Sequence, residues 1–123
     1  MKISDTTIYI NRGNRLLFTF KIENGEDYYI FQENDKVGFS IYEKKGLNQE
    51  PLVSKEFEPT EGTTEVDIDI SDTEMKIGDM LNKEKEYWYE ITLNKETVLG
   101  YDEDGAKKLI LYPEGKDYDN TEE

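Results

Sequence analysis

Two stretches of this chain hold side chains that could do chemistry. Asp102-Glu103-Asp104-Gly105 sets three carboxylates before a glycine, and clustered carboxylate oxygens suit hard cations such as Ca²⁺. An EF-hand loop would need a Glu six residues after that glycine, where Leu111 stands, so the EF-hand pattern fails. A looser Ca²⁺ loop at Asp102–Asp104 stays open beside the plainer reading, an exposed hairpin tip, and no metal site is assigned. The second stretch is Tyr87-Trp88-Tyr89. Exposed aromatic rings stack on sugars or anchor a protein partner. The ordinary alternative puts Trp88 in the core with its Tyr neighbours outward, because large aromatics are highly buried on average. The partner-binding candidates are Trp88, Tyr87, Tyr89 and, in the C-terminal tail, Tyr118.

Other chemistry is poorly supplied. The chain has no His and no Cys. It therefore lacks the usual general base near neutral pH, the commonest metal ligand, thiol catalysis and any disulfide framework. Nothing marks Ser40, Ser54 or Ser71 as a nucleophile. Paired carboxylates run glycoside hydrolysis, yet among 29 acidic residues some pair falls at a suitable spacing by chance. No Gly-x-x-x-x-Gly-Lys phosphate loop occurs. The expectation is a protein that is not an enzyme and has no cofactor.

Net charge narrows the partners. Against 29 Asp and Glu stand 15 Lys and Arg, giving −14. Such a surface repels nucleic acid and anionic lipid, so neither nucleic acid nor membrane is an expected partner. The Lys residues do not cluster with aromatics as a nucleic-acid platform would require. Solubility explains the charge most simply; a basic partner surface and mimicry of DNA are the sharper readings. Met1-Lys2-Ile3-Ser4-Asp5 shows no apolar signal segment, and no stretch is long enough to span a membrane. The expectation is synthesis in the cytoplasm.

The elements that must hold these residues read as strands. Nine Tyr and five Phe in 123 residues favour pleated surfaces. Apolar residues recur at every second position in several segments: Leu16, Phe18, Phe20 and Ile22; Val37, Phe39 and Ile41; Val66, Ile68 and Ile70; Tyr87, Tyr89, Ile91 and Leu93. Glu65, Asp67 and Asp69 alternate with the third set, which predicts an antiparallel strand with one wet face. Two segments leave the inward set open: Val53, Lys55 and Phe57 against Leu52, Ser54 and Glu56, and Leu109 with Leu111 against Ile110 with Tyr112. Asn24-Gly25 and Asn94 to Thr97 read as reversals. Ser71-Asp72-Thr73-Glu74 fits a capping box that opens a short helical connector cut off by Gly78. About seven short strands with turns between them predict an all-β, antiparallel sandwich over residues 1–112, with a small barrel as the competing fold. Residues 113–123 read as an acidic C-terminal extension.

The order of the motifs resembles a family. Arg12-Gly13, Phe18-Thr19-Phe20, Asn24-Gly25, Asp35-Lys36-Val37-Gly38-Phe39, Ile68-Asp69-Ile70-Ser71 and Tyr87-Trp88-Tyr89-Glu90-Ile91 follow one another. This layout, over residues 7–112, resembles the small β-sandwich domains of tailed bacteriophages, such as the N-terminal domain of the baseplate upper protein family. The resemblance implies an immunoglobulin-like sandwich serving as a virion structural protein of baseplate, tail, fibre attachment or capsid. It would be made in the host cytoplasm and would contact other virion proteins in a symmetric multi-copy assembly. The family's domain precedes a longer fibre or receptor-binding region. Because the sequence stops at Glu123, a free-standing adaptor, decoration or head-fibre piece is expected. The family supplies no catalytic residues. Two alternatives stand beside this reading: an acidic DNA-mimic inhibitor of a host nuclease, and a carbohydrate-binding module using Trp88 and its tyrosines.

Overall fold

The computed structural model describes residues 1–4, 6–44, 49–78, 83–100 and 107–114. The strands are β1 (Lys2–Ser4), β2 (Thr7–Asn11), β3 (Leu16–Phe20), β4 (Glu23–Asn24), β5 (Asp27–Tyr28), β6 (Val37–Tyr42), β7 (Val53–Phe57), β8 (Val66–Ile70), β9 (Lys85–Leu93), β10 (Glu96–Leu99) and β11 (Lys107–Tyr112). The large sheet runs β1-β2-β11-β9-β6-β7, with β10 also on β9. β3 and β8 form a separate antiparallel pair, and β4 with β5 a short ribbon.

Alternation decides which side chains go in. Val37, Phe39 and Ile41 of β6 are fully buried while Gly38, Ser40 and Tyr42 face the other way. Val66, Ile68 and Ile70 line the core from β8, as their spacing predicts. Phe18 meets Phe39 edge-on at 6.1 Å, which places the β3–β8 pair over the inner face of the large sheet. Phe39 in turn stacks on Tyr89 at 5.6 Å. Such ring pairs contribute about 0.5–1.5 kcal/mol beyond their buried area. The segments left open resolve to Val53 with Phe57 and to Leu109 with Leu111 on the inner side, and Leu52 stays exposed. Phe31, Met75 and Ile77 reach the core from outside the strands.

Two expectations need correction. The sheet is mixed and not purely antiparallel: β11 runs parallel to β2, with Leu109 opposite Ile8 and Leu111 opposite Ile10. Alternation fixes the buried face of a strand but not the direction of its neighbour. Parallel neighbours need a long connection, and nearly the whole chain lies between these two. The helical connector is also not found; among the described residues there is no helix. The capping box does form, with Ser71 N–H donating to Glu74 Oε1 at 3.2 Å and Glu74 N–H to Ser71 Oγ at 3.2 Å. One turn follows, closed by Met75 N–H to the Ser71 carbonyl at 3.0 Å. The chain then breaks at Gly78, whose φ of +67° no helix accommodates. A cap without further turns to propagate it does not make a helix.

Turn chemistry fixes the hairpins. Asn94 (φ 51°) and Lys95 (φ 73°) both take positive φ between β9 and β10, as a two-residue type I′ loop requires. Gly25, with φ 69°, opens the two-residue loop between β4 and β5.

Candidate interaction surface around Trp88

Strand β9 is flanked on one side by β6 and on the other by β11 and then β10. Its alternation puts Tyr87 and Tyr89 inside, 1% and 4% exposed, and Trp88 on the outer face. This is the reverse of the ordinary reading of the triplet. The Tyr89 hydroxyl donates to the Thr6 carbonyl at 2.5 Å, and burial pushes its pKa up to about 12. The Tyr87 hydroxyl is buried and has no hydrogen-bond partner among the described residues.

Trp88 is half-buried at the middle of the outer face, opposite Tyr42 of β6 and Lys108 of β11. In the next row Ile110 lies between Tyr9 and Glu86. Tyr9, Tyr42, Trp88 and Ile110 are all half-buried, forming a patch with mixed charges at its margin. Lys108 reaches Glu86 at 3.2 Å, and the Tyr42 hydroxyl donates to Glu90 at 3.1 Å. Burial, then the nearby Glu90 charge, raises the Tyr42 pKa. The Trp88 indole N–H is shielded from water and finds no acceptor among the described residues. A buried donor left unpaired costs about 1–3 kcal/mol.

No family model matches this chain. No curated protein and no solved structure matches it either.

The other candidate residues fall as follows. Tyr118 and Asp102-Glu103-Asp104-Gly105 lie outside the described residues. Among the described residues no group of three or more acids could hold a metal ion. Ser40 and Ser54 meet hydroxyl to hydroxyl at 3.0 Å, and Ser71 is engaged in its capping box. The acidic face of β8 is partnered across the pair: Arg15 grips Asp69 through two bonds of 2.8 and 2.7 Å, Thr19 donates to Asp67 at 2.8 Å, and Lys21 lies 3.4 Å from Glu65. The Arg15 bond holds the Asp69 carboxyl below its ordinary range.

Sequence reasoning missed two side-chain networks. Asp35 is 7% exposed and accepts from Asn94 Nδ2 at 2.9 Å, Gln32 N–H at 2.8 Å and the Tyr29 hydroxyl at 2.8 Å. Asn94 also accepts from Lys36 N–H at 2.9 Å. The strand β6 entry and the β9–β10 hairpin are thereby tied together. The Arg12 guanidinium donates to the carbonyls of Ile77 at 3.0 Å and Gly78 at 3.1 Å, and to Glu114 at 2.6 Å. It fastens the β2–β3 turn to the turn after β8 and to the exit from β11. A lone Asp or Arg in a turn gives no periodic signal. Only the Asp35-Lys36 and Arg12-Gly13 steps of the motif order marked these places.

Proposed function

We propose that this protein is a bacteriophage virion structural component that works through protein–protein contacts, with an immunoglobulin-like sandwich as its scaffold. The observation that carries the reading is the outer-face patch around Trp88. Aromatic residues dominate binding energy at protein interfaces, most of all in desolvated centres ringed by polar groups. Here Trp88 has the aromatic Tyr42 beside it and Glu86, Glu90 and Lys108 around it. The scaffold reading draws support from β11, β9 and β6 lying side by side while β3 and β8 face them as a pair. The virion assignment draws on the motif order from Arg12-Gly13 to Tyr87-Trp88-Tyr89. Its partners on this reading are other virion proteins in a symmetric assembly, where many copies multiply a modest contact.

A sugar-stacking surface would need well-exposed rings, whereas Tyr87 and Tyr89 are buried and the outer-face rings of Tyr9, Tyr42 and Trp88 are each only half exposed. A DNA mimic would need unneutralised carboxylates in a row, whereas Asp69 and Glu65 on either side of Asp67 are paired with Arg15 and Lys21.

The test is sedimentation with particles. The chain is expected to pellet with intact virions and to be absent from particles made without its gene. Trp88→Ala, folded by circular dichroism, should remain in the supernatant. Recovery of the wild-type chain only in soluble lysate would end the proposal, as would full incorporation of the Trp88→Ala chain.

A further inference from the structure

We propose that the groove between β7 and β8 receives an extended basic segment of a partner protein as an added strand; this rests on the reading of the chain as a contact module and names the chemistry of one partner. Among the described residues β7 ends the large sheet, and β8 has a partner on one side only, β3. An edge strand presents unpaired N–H and C=O groups that template another strand. Among the described residues no further backbone bond engages 53–57 or 66–70 beyond their pairings with β6 and β3. Where β7 ends and β8 begins lies an open groove of about 560 Å³, lined by Glu56 and Phe57 of β7, Val66 and Asp67 of β8, and the connection between them, Glu58 and Glu65 included.

The lining has a repeating pattern. Glu56-Phe57-Glu58 forms one wall and Glu65-Val66-Asp67 the other, each an apolar residue between two acids. Val66 is buried and Phe57 half-buried, which supplies an apolar floor. The carboxylates are only partly neutralised. Lys36 holds Glu58 and Lys21 lies 3.4 Å from Glu65, while Asp67 is met by the neutral Thr19 hydroxyl. Glu56 has no ion pair among the described residues. Side chains of an added strand alternate between its two faces. The fitting occupant therefore alternates apolar residues, which reach Phe57 and Val66, with Lys or Arg, which meet the acids. Each acid–apolar–acid triplet spans about 10 Å at roughly 3.3 Å per residue, a bite of three or four residues.

The probe is a fluorescein-labelled heptapeptide alternating Lys and Val, titrated against the full chain and followed by anisotropy. It should bind at low salt and weaken as salt is raised. Glu56→Lys, an exposed change with an unaltered circular dichroism spectrum, should weaken binding by about tenfold. A peptide of the same composition with its inward-facing amides N-methylated keeps charge and apolar surface but cannot join a ladder, and it should not bind. Equal binding of the methylated peptide would reduce the effect to charge and overturn the proposal. No binding of the unmodified peptide would overturn it as well. A chain that sediments with virions yet ignores the peptide sinks the groove alone; one that binds the peptide but never enters particles sinks the virion reading alone.

Discussion

Asp35 shows how one side chain joins two loops that the sequence holds far apart. Its carboxylate accepts three hydrogen bonds, and those bonds hold its pKa below the ordinary value, the Asn94 amide contributing most, then the Gln32 N–H and the Tyr29 hydroxyl. The same bond raises the Tyr29 pKa. A carboxyl with a depressed folded-state pKa stabilises the fold above its unfolded pKa of about 3.9, and that contribution disappears as pH falls through the folded value. Urea midpoints measured from pH 7 downward should therefore drop in the acid range, and the drop should be shallower in Asp35→Asn. A parallel fall in both proteins would assign acid sensitivity to the exposed pairs of Glu58, Asp69 and Glu74, whose pKa values are also lowered. Asn94→Ala removes one donor and one acceptor and is expected to cost about 1–3 kcal/mol in urea unfolding. Asn94→Gly keeps the positive φ but not the bonds, and any stability it recovers over Ala measures the backbone share. At this scale little was legible. Nothing in Asp35 or Asn94 as letters announces a shared bond, because the contact forms only once β6 and β9 pair. Trp88 was legible only as an aromatic in a strand. Which of Tyr87, Trp88 and Tyr89 faces in could not be read from the three adjacent aromatics themselves, but only from the register they share with Ile91 and Leu93 against Glu90 and Thr92, and that register buries Tyr87 and Tyr89.

Strands were the legible elements, since a period of two with apolar Val, Ile, Leu and Phe on one side states both the element and its buried face. β6 and β8 follow that pattern to the residue. The connector after β8 went the other way, because a capping box reports how a helix would start and not whether enough residues follow. Turn chemistry supports a direct test. Lys95 sits at φ 73° in the second loop position of the β9–β10 hairpin, where a residue with a Cβ is strained by roughly 1–2 kcal/mol. Lys95→Gly creates the preferred Asn-Gly pair and should raise stability by about 1 kcal/mol in thermal or urea unfolding. An unchanged midpoint would mean that the loop relaxes without strain. Arg12 works between elements in the opposite sense. Its side chain is 12% exposed and donates to the backbone carbonyls of Lys76, Ile77 and Gly78 and to Glu114. Arg12→Ala should cost about 2–3 kcal/mol, since bonds to a charged donor are worth more than neutral ones. Arg12→Lys should restore little of it, because an ammonium lacks the planar fork that spans these acceptors.

Over the whole molecule the fourteen-charge excess of acids competes with the ion pairs drawn from the same residues. The pairs are local and exposed: Arg15 with Asp69, Lys21 with Glu65, Lys85 with Glu43 and Lys108 with Glu86 all keep 40% or more of each side chain accessible. Exposed pairs contribute about 0–1 kcal/mol each, and salt weakens them. Repulsion among the excess carboxylates acts over longer distances and opposes the compact state. Salt shortens the screening length to about 8 Å at 0.15 M and about 3 Å at 1 M, so it removes the long-range repulsion before the contacts at 3–4 Å. The melting temperature should therefore rise as sodium chloride increases from low millimolar to about 0.5 M, by roughly 4 °C for each 1 kcal/mol of repulsion relieved. The rise should shrink near pH 5, where the net charge approaches zero at the isoelectric point of about 4.4. A melting temperature that falls with salt at pH 7 would put the local pairs ahead of the net charge. The same balance governs association: a partner that brings cations to Glu56 and Asp67, which have no ion pair among the described residues, relieves repulsion the isolated chain must carry, so its binding should stabilise the fold most at low salt.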